Sequence, residues 1–293
     1  MELRVLNYFL MVAREENITK AANLLHVTQP TLSRQLIQLE EELDVKLFTR
    51  SSHSIFLTEE GMLLKRRAQE MLSLAEKTKE ELSHEDEQLA GDIAIGSGEM
   101  RSMNCFAEVL AAFQKKHPLI HYEIYSGNAD NIKERVDQGL IDVALLSEPV
   151  DIIKYEFIRM PLKETWGVLV REDSVLAQKE SISPKDLVGV PLIAAQRILV
   201  LNELTNWFGD YADDINIVAS YNLIYNSAVM VQQGMGALLC LKLEGQYDNL
   251  KFIPLSPKLE LGSVLAWKKN QTFSKAVGAF ITYVKKCFYN GKI

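Results

Sequence analysis

Apolar positions along the first eighty residues recur with the period of helices. Further on they fall into short runs that alternate between strand and helix. Leu3, Leu6, Leu10 and Ala13 share one side of an opening amphipathic helix. A second helix is expected over Thr19–His26, with Thr19 as its cap, followed by a short turn at Val27. Leu32, Leu36, Leu39 and Leu43 form the stripe of a third, running from Thr28-Gln29-Pro30-Thr31 to about Glu42. Proline is tolerated in that first turn because its amide donors have no intrahelical acceptors. Two extended runs, Leu47-Phe48-Thr49-Arg50 and Ile55-Phe56-Leu57-Thr58, flank the polar tip Ser51-Ser52-His53-Ser54 and predict a β-wing.

A long helix is expected from about Glu59 to Ser83, a stretch without proline and with Gly61 near its start. Leu64, Ala68, Met71, Ala75, Thr78 and Leu82 recur at 4-3-4-3-4 spacing, the heptad seam of a coiled-coil dimer with one polar position at Thr78. The acidic run from Glu80 to Glu87, ending at Gly91, reads as a solvated helix end and hinge.

Beyond it, strands are expected at Ile93–Ile95, His121–Tyr125 and Asp142–Leu146, with helices at Cys105–Lys116 and Asn131–Gln138. That order implies a parallel sheet covered on both faces. A second set follows, with strands near Gly167–Val170, Leu192–Ala194, Ile215–Ala219 and Ala237–Leu241. Its helices lie near Leu199–Phe208 and Leu223–Gln233, and a last helix, about Phe273–Phe288, packs back on the first lobe. Two open α/β lobes place a cleft at the carboxyl ends of their strands, where helix N-termini point inward. Candidate cleft residues are Ser97, Gly98, Glu99, Met100 and Arg101, then Ser126, Gly127 and Ser147, then Gln196, Arg197, Tyr221 and Asn222. Hydroxyls and amides of this kind favour a small carboxylate. Glu99 and Arg101 together would suit an amine-bearing acid, and ordinary turn and capping chemistry accounts for the same residues.

Away from the apolar stripe the third helix presents Pro30, Ser33, Arg34, Ile37 and Gln38. Small and polar groups with one arginine suit a helix that enters the major groove, and they also suit a solvated helix in a bundle. Across Ala21-Ala22-Asn23-Leu24-Leu25, Thr28-Gln29-Pro30-Thr31-Leu32-Ser33-Arg34-Gln35-Leu36, Leu39-Glu40, Leu43, Leu47-Phe48-Thr49-Arg50 and Leu57-Thr58-Glu59-Glu60-Gly61, the sequence resembles the LysR-type transcriptional regulators. The resemblance implies an α-rich N-terminal winged helix-turn-helix (1–58), a long linker and dimerisation helix with a hinge (59–91), and an α/β effector domain of two-lobed, periplasmic-binding-protein-like fold (92–293). Lobe I would hold about 92–162 plus 269–293, and lobe II about 163–268. It further implies a small organic effector, a dimer that assembles into a tetramer, an inverted-repeat operator in double-stranded DNA, and RNA polymerase as a candidate partner. On that model Thr28, Gln29, Pro30, Thr31, Ser33, Arg34 and Gln38 face DNA, with Arg50 on the backbone and His53 at the wing tip. Leu64, Ala68, Met71, Ala75 and Leu82 then form the dimer seam.

Charge narrows the class. The chain is −7 overall. Its first sixty residues hold Arg4, Arg14, Lys20, Arg34, Lys46 and Arg50 against nine Asp and Glu, hence −3. A protein that coats DNA through phosphate neutralisation is disfavoured; a site-specific binder with a few clustered charges, such as Arg34, Lys46 and Arg50, is not. No nucleophile elbow, phosphate loop or His-Glu-x-x-His helix suggests catalysis, and no cofactor is expected. Cys105, Cys240 and Cys287 are too few and too scattered for a disulfide framework or zinc site, and the first two have core-like neighbours rather than those of a redox sensor. With no leader and no membrane-length apolar run, a cytoplasmic location is expected. A module that only sequesters its ligand and an α/β enzyme remain as alternatives.

Overall fold

The computed structural model describes residues 1–50, 55–83, 89–245 and 247–289, apart from the side chains of Arg50, Lys77, residues 80–83 and Tyr289. It forms two compact units, Met1–His84 and Glu85–Ile293.

In the first unit, helix α1 (Leu3–Glu15) buries Val5, Leu6, Phe9 and Val12, while Leu10 and Ala13 of the expected side pack partly against the same cluster and Leu3 stays exposed. The helix turns this way because Phe9, fully buried, packs its ring against Phe48 of the wing at 5.3 Å. Helix α2 (Ile18–Leu24) starts one residue earlier than expected. Its cap is Asn17, not Thr19: the Asn17 side-chain Oδ1 accepts from the Lys20 amide, and asparagine is the stronger cap. His26 lies in the turn rather than the helix, with φ of 54°, and the Val27 amide donates to the Ala22 carbonyl to close the bend. Helix α3 (Gln29–Leu43) is capped by Thr28, carries Pro30 in its first turn and buries Leu32, Leu36 and Leu39. Strands β1 (Phe48–Arg50) and β2 (Ile55–Leu57) pair antiparallel, Phe48 opposite Leu57. The wing tip with His53 lies outside the described residues.

Buried Glu40 ties α3 to this wing. One carboxylate oxygen accepts from the Leu47 and Phe48 amides at 2.8 and 3.2 Å, and the other from Lys46 at 3.0 Å. Burial raises the pKa of this carboxyl, but the Lys46 ammonium and the two amides outweigh it and hold it below the ordinary value. Helix α4 (Glu59–Ser83) then starts against the wing. A Cβ at Gly61 would stand 2.2 Å from the Leu47 carbonyl oxygen, so only glycine lets the helix begin there.

The second unit begins with β3 (Ala90–Ser97), longer than expected at both ends, then α5 (Ser102–Lys116), β4 (Leu119–Ser126), α6 (Ala129–Asp137), β5 (Val143–Ser147) and β6 (Tyr155–Arg159). The chain crosses to β7 (Glu164–Arg171), β8 (Pro191–Ala195), α7 (Ile198–Phe208), β9 (Asn216–Tyr221), α8 (Ile224–Gln232), β10 (Ala237–Leu241), β11 (Leu250–Pro254) and β12 (Glu260–Leu261). It then returns as β13 (Ser263–Lys268) and α9 (Lys275–Tyr289). The first sheet has the order β4-β3-β5-β13-β6, the second β11-β7-β10-β8-β9 with β12 on β7.

Two features differ from the sequence expectation. The sheets are mixed: β3, β4 and β5 are parallel, but β13 runs antiparallel to both β5 and β6, and β7 antiparallel to β10 and β11. The chain also returns early, because Ser263–Lys268 completes the first sheet rather than ending the second lobe at 268. Both crossings meet at one buried polar knot. Glu164, wholly buried at the start of β7, accepts from the Arg101 and Ser102 amides, each at 3.0 Å, and from the Ser102 hydroxyl at 2.5 Å. The Ser102 hydroxyl lies 2.6 Å from that of Ser263, the first residue of β13. Glu164 thereby supplies the N-terminal cap that α5 lacks from its own Arg101.

Candidate DNA-binding face and interlobe cleft

Helix α3 sends its leucines inward and leaves Gln29, Pro30, Thr31, Arg34, Ile37 and Gln38 exposed, with Ser33 half-buried. Thr28 is spent locally: its hydroxyl oxygen accepts from the Thr31 amide at 3.4 Å and lies 2.8 Å from the Thr31 hydroxyl. The other basic groups of this unit's first sixty residues are mostly engaged. Arg4 pairs with Glu2, Arg14 and Lys20 with Glu15, and Lys46 with Glu40. Lys46 therefore serves the wing before any phosphate. Arg34 has no ion-pair partner among the described residues. It stands on the outer face of α3, its charge open to an external anion or base edge.

The expected dimer seam divides. Ala68 is fully buried in the same cluster as α1, and Leu64 and Met71 pack partly against that cluster. These three cover their own unit's core, so a partner helix cannot take Ala68. Ala75 is half-buried, while the Leu82 side chain lies outside the description. Among the described side chains, the large apolar groups that α4 leaves exposed are Met62, Leu63 and Leu74.

Between the two lobes of the second unit lies a cavity of about 70 Å³. Eight of the twelve expected residues line it: Gly98, Glu99, Met100, Gly127, Ser147, Arg197, Tyr221 and Asn222. Four do not. Ser97 and Ser126 border an adjoining depression that shares Gly98, Glu99 and Met100 with the cavity, together with Arg101, which pairs with Glu244 at 2.6 Å. Gln196 is exposed, because successive residues at a strand end face opposite sides. Arg101 is thus unavailable to form a charge pair with Glu99 for a zwitterion. Asn128, Ala129, Leu145, Leu146, Trp166, Ala195, Val200, Ile224 and Leu241 complete the lining. Most are apolar, and on a strand such residues carry no sign that separates cavity wall from core.

Two side chains cross the cleft. From the first lobe, the Glu99 carboxylate accepts from the Ile224 amide at the start of α8. From the second, Arg197 donates to the Pro149 carbonyl at 2.9 Å and to the Ser147 carbonyl and hydroxyl, each at 3.5 Å, with the Asp130 carboxylate 3.3 Å from its Nε. Neither the Arg197 Nε nor the Trp166 Nε1 makes a hydrogen bond, although both atoms are buried and both residues line the cavity. Tyr221 spends its hydroxyl on the Leu239 carbonyl at 2.9 Å, and burial pushes its phenol well above the ordinary 10.0. Burial likewise pushes the Cys240 thiol up, which makes it a poor nucleophile or peroxide sensor. Among the described residues no cluster of His, Cys, Asp and Glu could hold a metal ion, and no helix is long and apolar enough to cross a membrane.

Residues 3–62 match the family model described as the bacterial regulatory helix-turn-helix protein of the lysR family, and residues 86–288 the LysR substrate binding domain. The regulator BsdA of Bacillus subtilis (strain 168) is 31% identical over 246 residues, covering 81% of this chain and 82% of that protein. The hca operon transcriptional activator HcaR of Escherichia coli (strain K12) is 28% identical over 98% of both chains. Among solved structures, CbnR, a LysR family transcriptional regulator, superimposes with a TM-score of 0.77 at 19% identity over 98% of this chain and 99% of its own, a likeness of fold.

Proposed function

Because the chain belongs to the LysR family of bacterial DNA-binding transcriptional regulators, we propose that its α3 reads an operator half-site while the interlobe cleft holds a small acid that sets the assembly's state. Two copies would read an inverted repeat, with Gln29, Ser33 and Arg34 nearest the bases and Arg50 and His53 on the backbone. The observation that carries this reading is Arg34, exposed on the recognition face with no carboxylate to neutralise it in an otherwise acidic unit.

The paired copies join along α4 through Met62, Leu63 and Leu74, with Ala75 and Leu82 as the remaining members of the heptad seam. A further contact, from dimer to tetramer, is supported by apolar groups on the sheet edges: Leu119 and Ile124 on β4, Ile217 and Val218 on β9. The effector reading rests on Trp166 Nε1, a buried donor without an acceptor among the described residues, beside the Arg197 guanidinium at one cavity, a setting that suits a carboxylate. An acid bound more tightly by one lobe arrangement shifts the population toward it and changes the spacing of the DNA-binding units. The cytoplasm is the expected compartment, and RNA polymerase a candidate partner at the promoter.

The test is selection of bound duplexes from a random pool by full-length protein at moderate salt, repeated with Arg34→Ala. An interrupted inverted repeat, with preference relaxed at one position per half-site in the variant, supports the reading. Failure to enrich any sequence would turn the assignment to a ligand-sequestering module. Equal weakening on all sequences would make Arg34 a phosphate contact.

A further inference from the structure

Helix α8 begins without a cap of its own. Leu223 offers no side-chain acceptor, and no acidic residue lies in the first turn. The missing anion comes from the other lobe: Glu99, in the loop after β3, reaches over the cleft and accepts from the Ile224 amide. The position a ligand carboxylate would take at this helix end is therefore filled by a carboxylate of the chain itself. A second observation shows where an external acceptor remains wanted. Trp166, 3% exposed, lines the same cavity and keeps a buried N–H without an acceptor among the described residues, and the 5% exposed Arg197 lies beside it with its Nε 3.3 Å from the Asp130 carboxylate. Both belong to the second lobe, and the space near them admits roughly five water-sized groups.

We propose that Glu99 is a tethered carboxylate that occupies the α8 N-terminus and so tunes the cleft to monocarboxylates, held by Trp166 and Arg197, against dicarboxylates. The inference rests on the reading that the cleft takes a small acid. A monoacid meets one waiting donor, Trp166 Nε1, beside the Arg197 guanidinium. The second carboxylate of a diacid would arrive in the same small space as Glu99, where two like charges would contest one amide. Loss of the tether should reverse this preference, since the freed helix end becomes a second acid position.

The experiment uses full-length protein as wild type, Glu99→Ala and Glu99→Gln. In thermal unfolding at matched ionic strength, acetate should stabilise Glu99→Ala, relative to chloride, by clearly more than it stabilises wild type or Glu99→Gln. Calorimetric titration with butyrate against succinate, and valerate against glutarate, should show wild type favouring each monoacid. The ratio should move toward the diacid by about tenfold or more in Glu99→Ala, the loss of one charged contact's worth of discrimination. Glu99→Gln, which keeps the side chain's shape but not its charge, should shift the ratio in the same direction without acetate rescue, and it carries the test if the alanine variant folds poorly. Acid-binding variants with the wild-type preference, or acetate acting equally on all three proteins, would overturn the role of Glu99 alone. No binding of any acid by any of the three would overturn the acid reading of the cleft and this specificity with it.

Discussion

Glu40→Ala should uncouple the recognition helix from its wing at a cost that can be estimated from three hydrogen bonds. The carboxylate satisfies the amides of Leu47 and Phe48 and receives the Lys46 ammonium, at 2.8, 3.2 and 3.0 Å. Truncation leaves two largely buried amides without an acceptor, each costing about 1–3 kcal/mol, partly relieved if water enters. A loss of about 3 kcal/mol is expected, a large share of what a unit of this size possesses. The chain supplies its own control. All three tryptophans, Trp166, Trp207 and Trp267, lie in the second unit, so their fluorescence is blind to the first. In urea, the circular-dichroism transition without a fluorescence counterpart should fall by about 2 M, from a slope near ~1.5 kcal/mol per molar. The fluorescence transition should not move. A shift under about 0.5 kcal/mol would mean that Glu40 does not organise the wing, and a fluorescence transition that moves in step would mean that the two units unfold as one.

The same carboxyl predicts a pH effect. Its folded pKa lies below the ordinary 4.5, so its stabilisation is complete above that value and is lost as pH falls through the lower one. Acid titration of the first unit's stability should therefore be shallower in Glu40→Gln than in wild type, and identical slopes would remove Glu40 from the account. Leu74→Lys, at an exposed position, should halve the solution mass in sedimentation with little loss of monomer stability, whereas Met71→Lys, at a half-buried position, should destabilise the first unit through lost packing; an unchanged mass for Leu74→Lys refutes the outer seam. Trp166→Phe should act with opposite signs, weakening monoacid binding by about 1 kcal/mol while leaving the free protein as stable or more so, since an unpaired buried donor is removed. Unaltered affinity by calorimetry would deny Trp166 a ligand contact.

Much of this architecture was legible because one period dominates each element. The α3 leucines and the alternating wing runs leave a single way to bury themselves, and α4 matches its expected span from Glu59 to Ser83. Period tells which side of a helix is covered, not by what: Leu64, Ala68 and Met71 carry a coiled-coil spacing but pack on their own α1. Local chemistry misleads where two residues compete, as Asn17 and Thr19 do for the α2 cap, or where a residue adopts an uncommon conformation, as His26 does in the turn. The lobe boundary was hidden for a different reason. A buried strand such as Ser263–Lys268 is apolar whichever sheet receives it, and only its long-range pairing with β5 and β6 decides. In the cleft, strand-end rules found Glu99, Ser147, Arg197 and Tyr221 but passed over Trp166, whose unpaired N–H is visible only in three dimensions.

The knot of Glu164, Ser102 and Ser263 makes the second unit a lever with its fulcrum at the back. Both chain crossings are pinned to one helix end by bonds inaccessible to water, so sliding of one lobe past the other would break them while a small twist would not. Displacement then grows with distance from the knot, and the far rim of each lobe moves most. Should an effector bound near the knot turn the lobes, the change would be greatest at the outer surface, where neighbouring copies would register it. A damaged knot, as in Glu164→Gln, would let the lobes slip: ligand would still bind, but its arrival would no longer be transmitted.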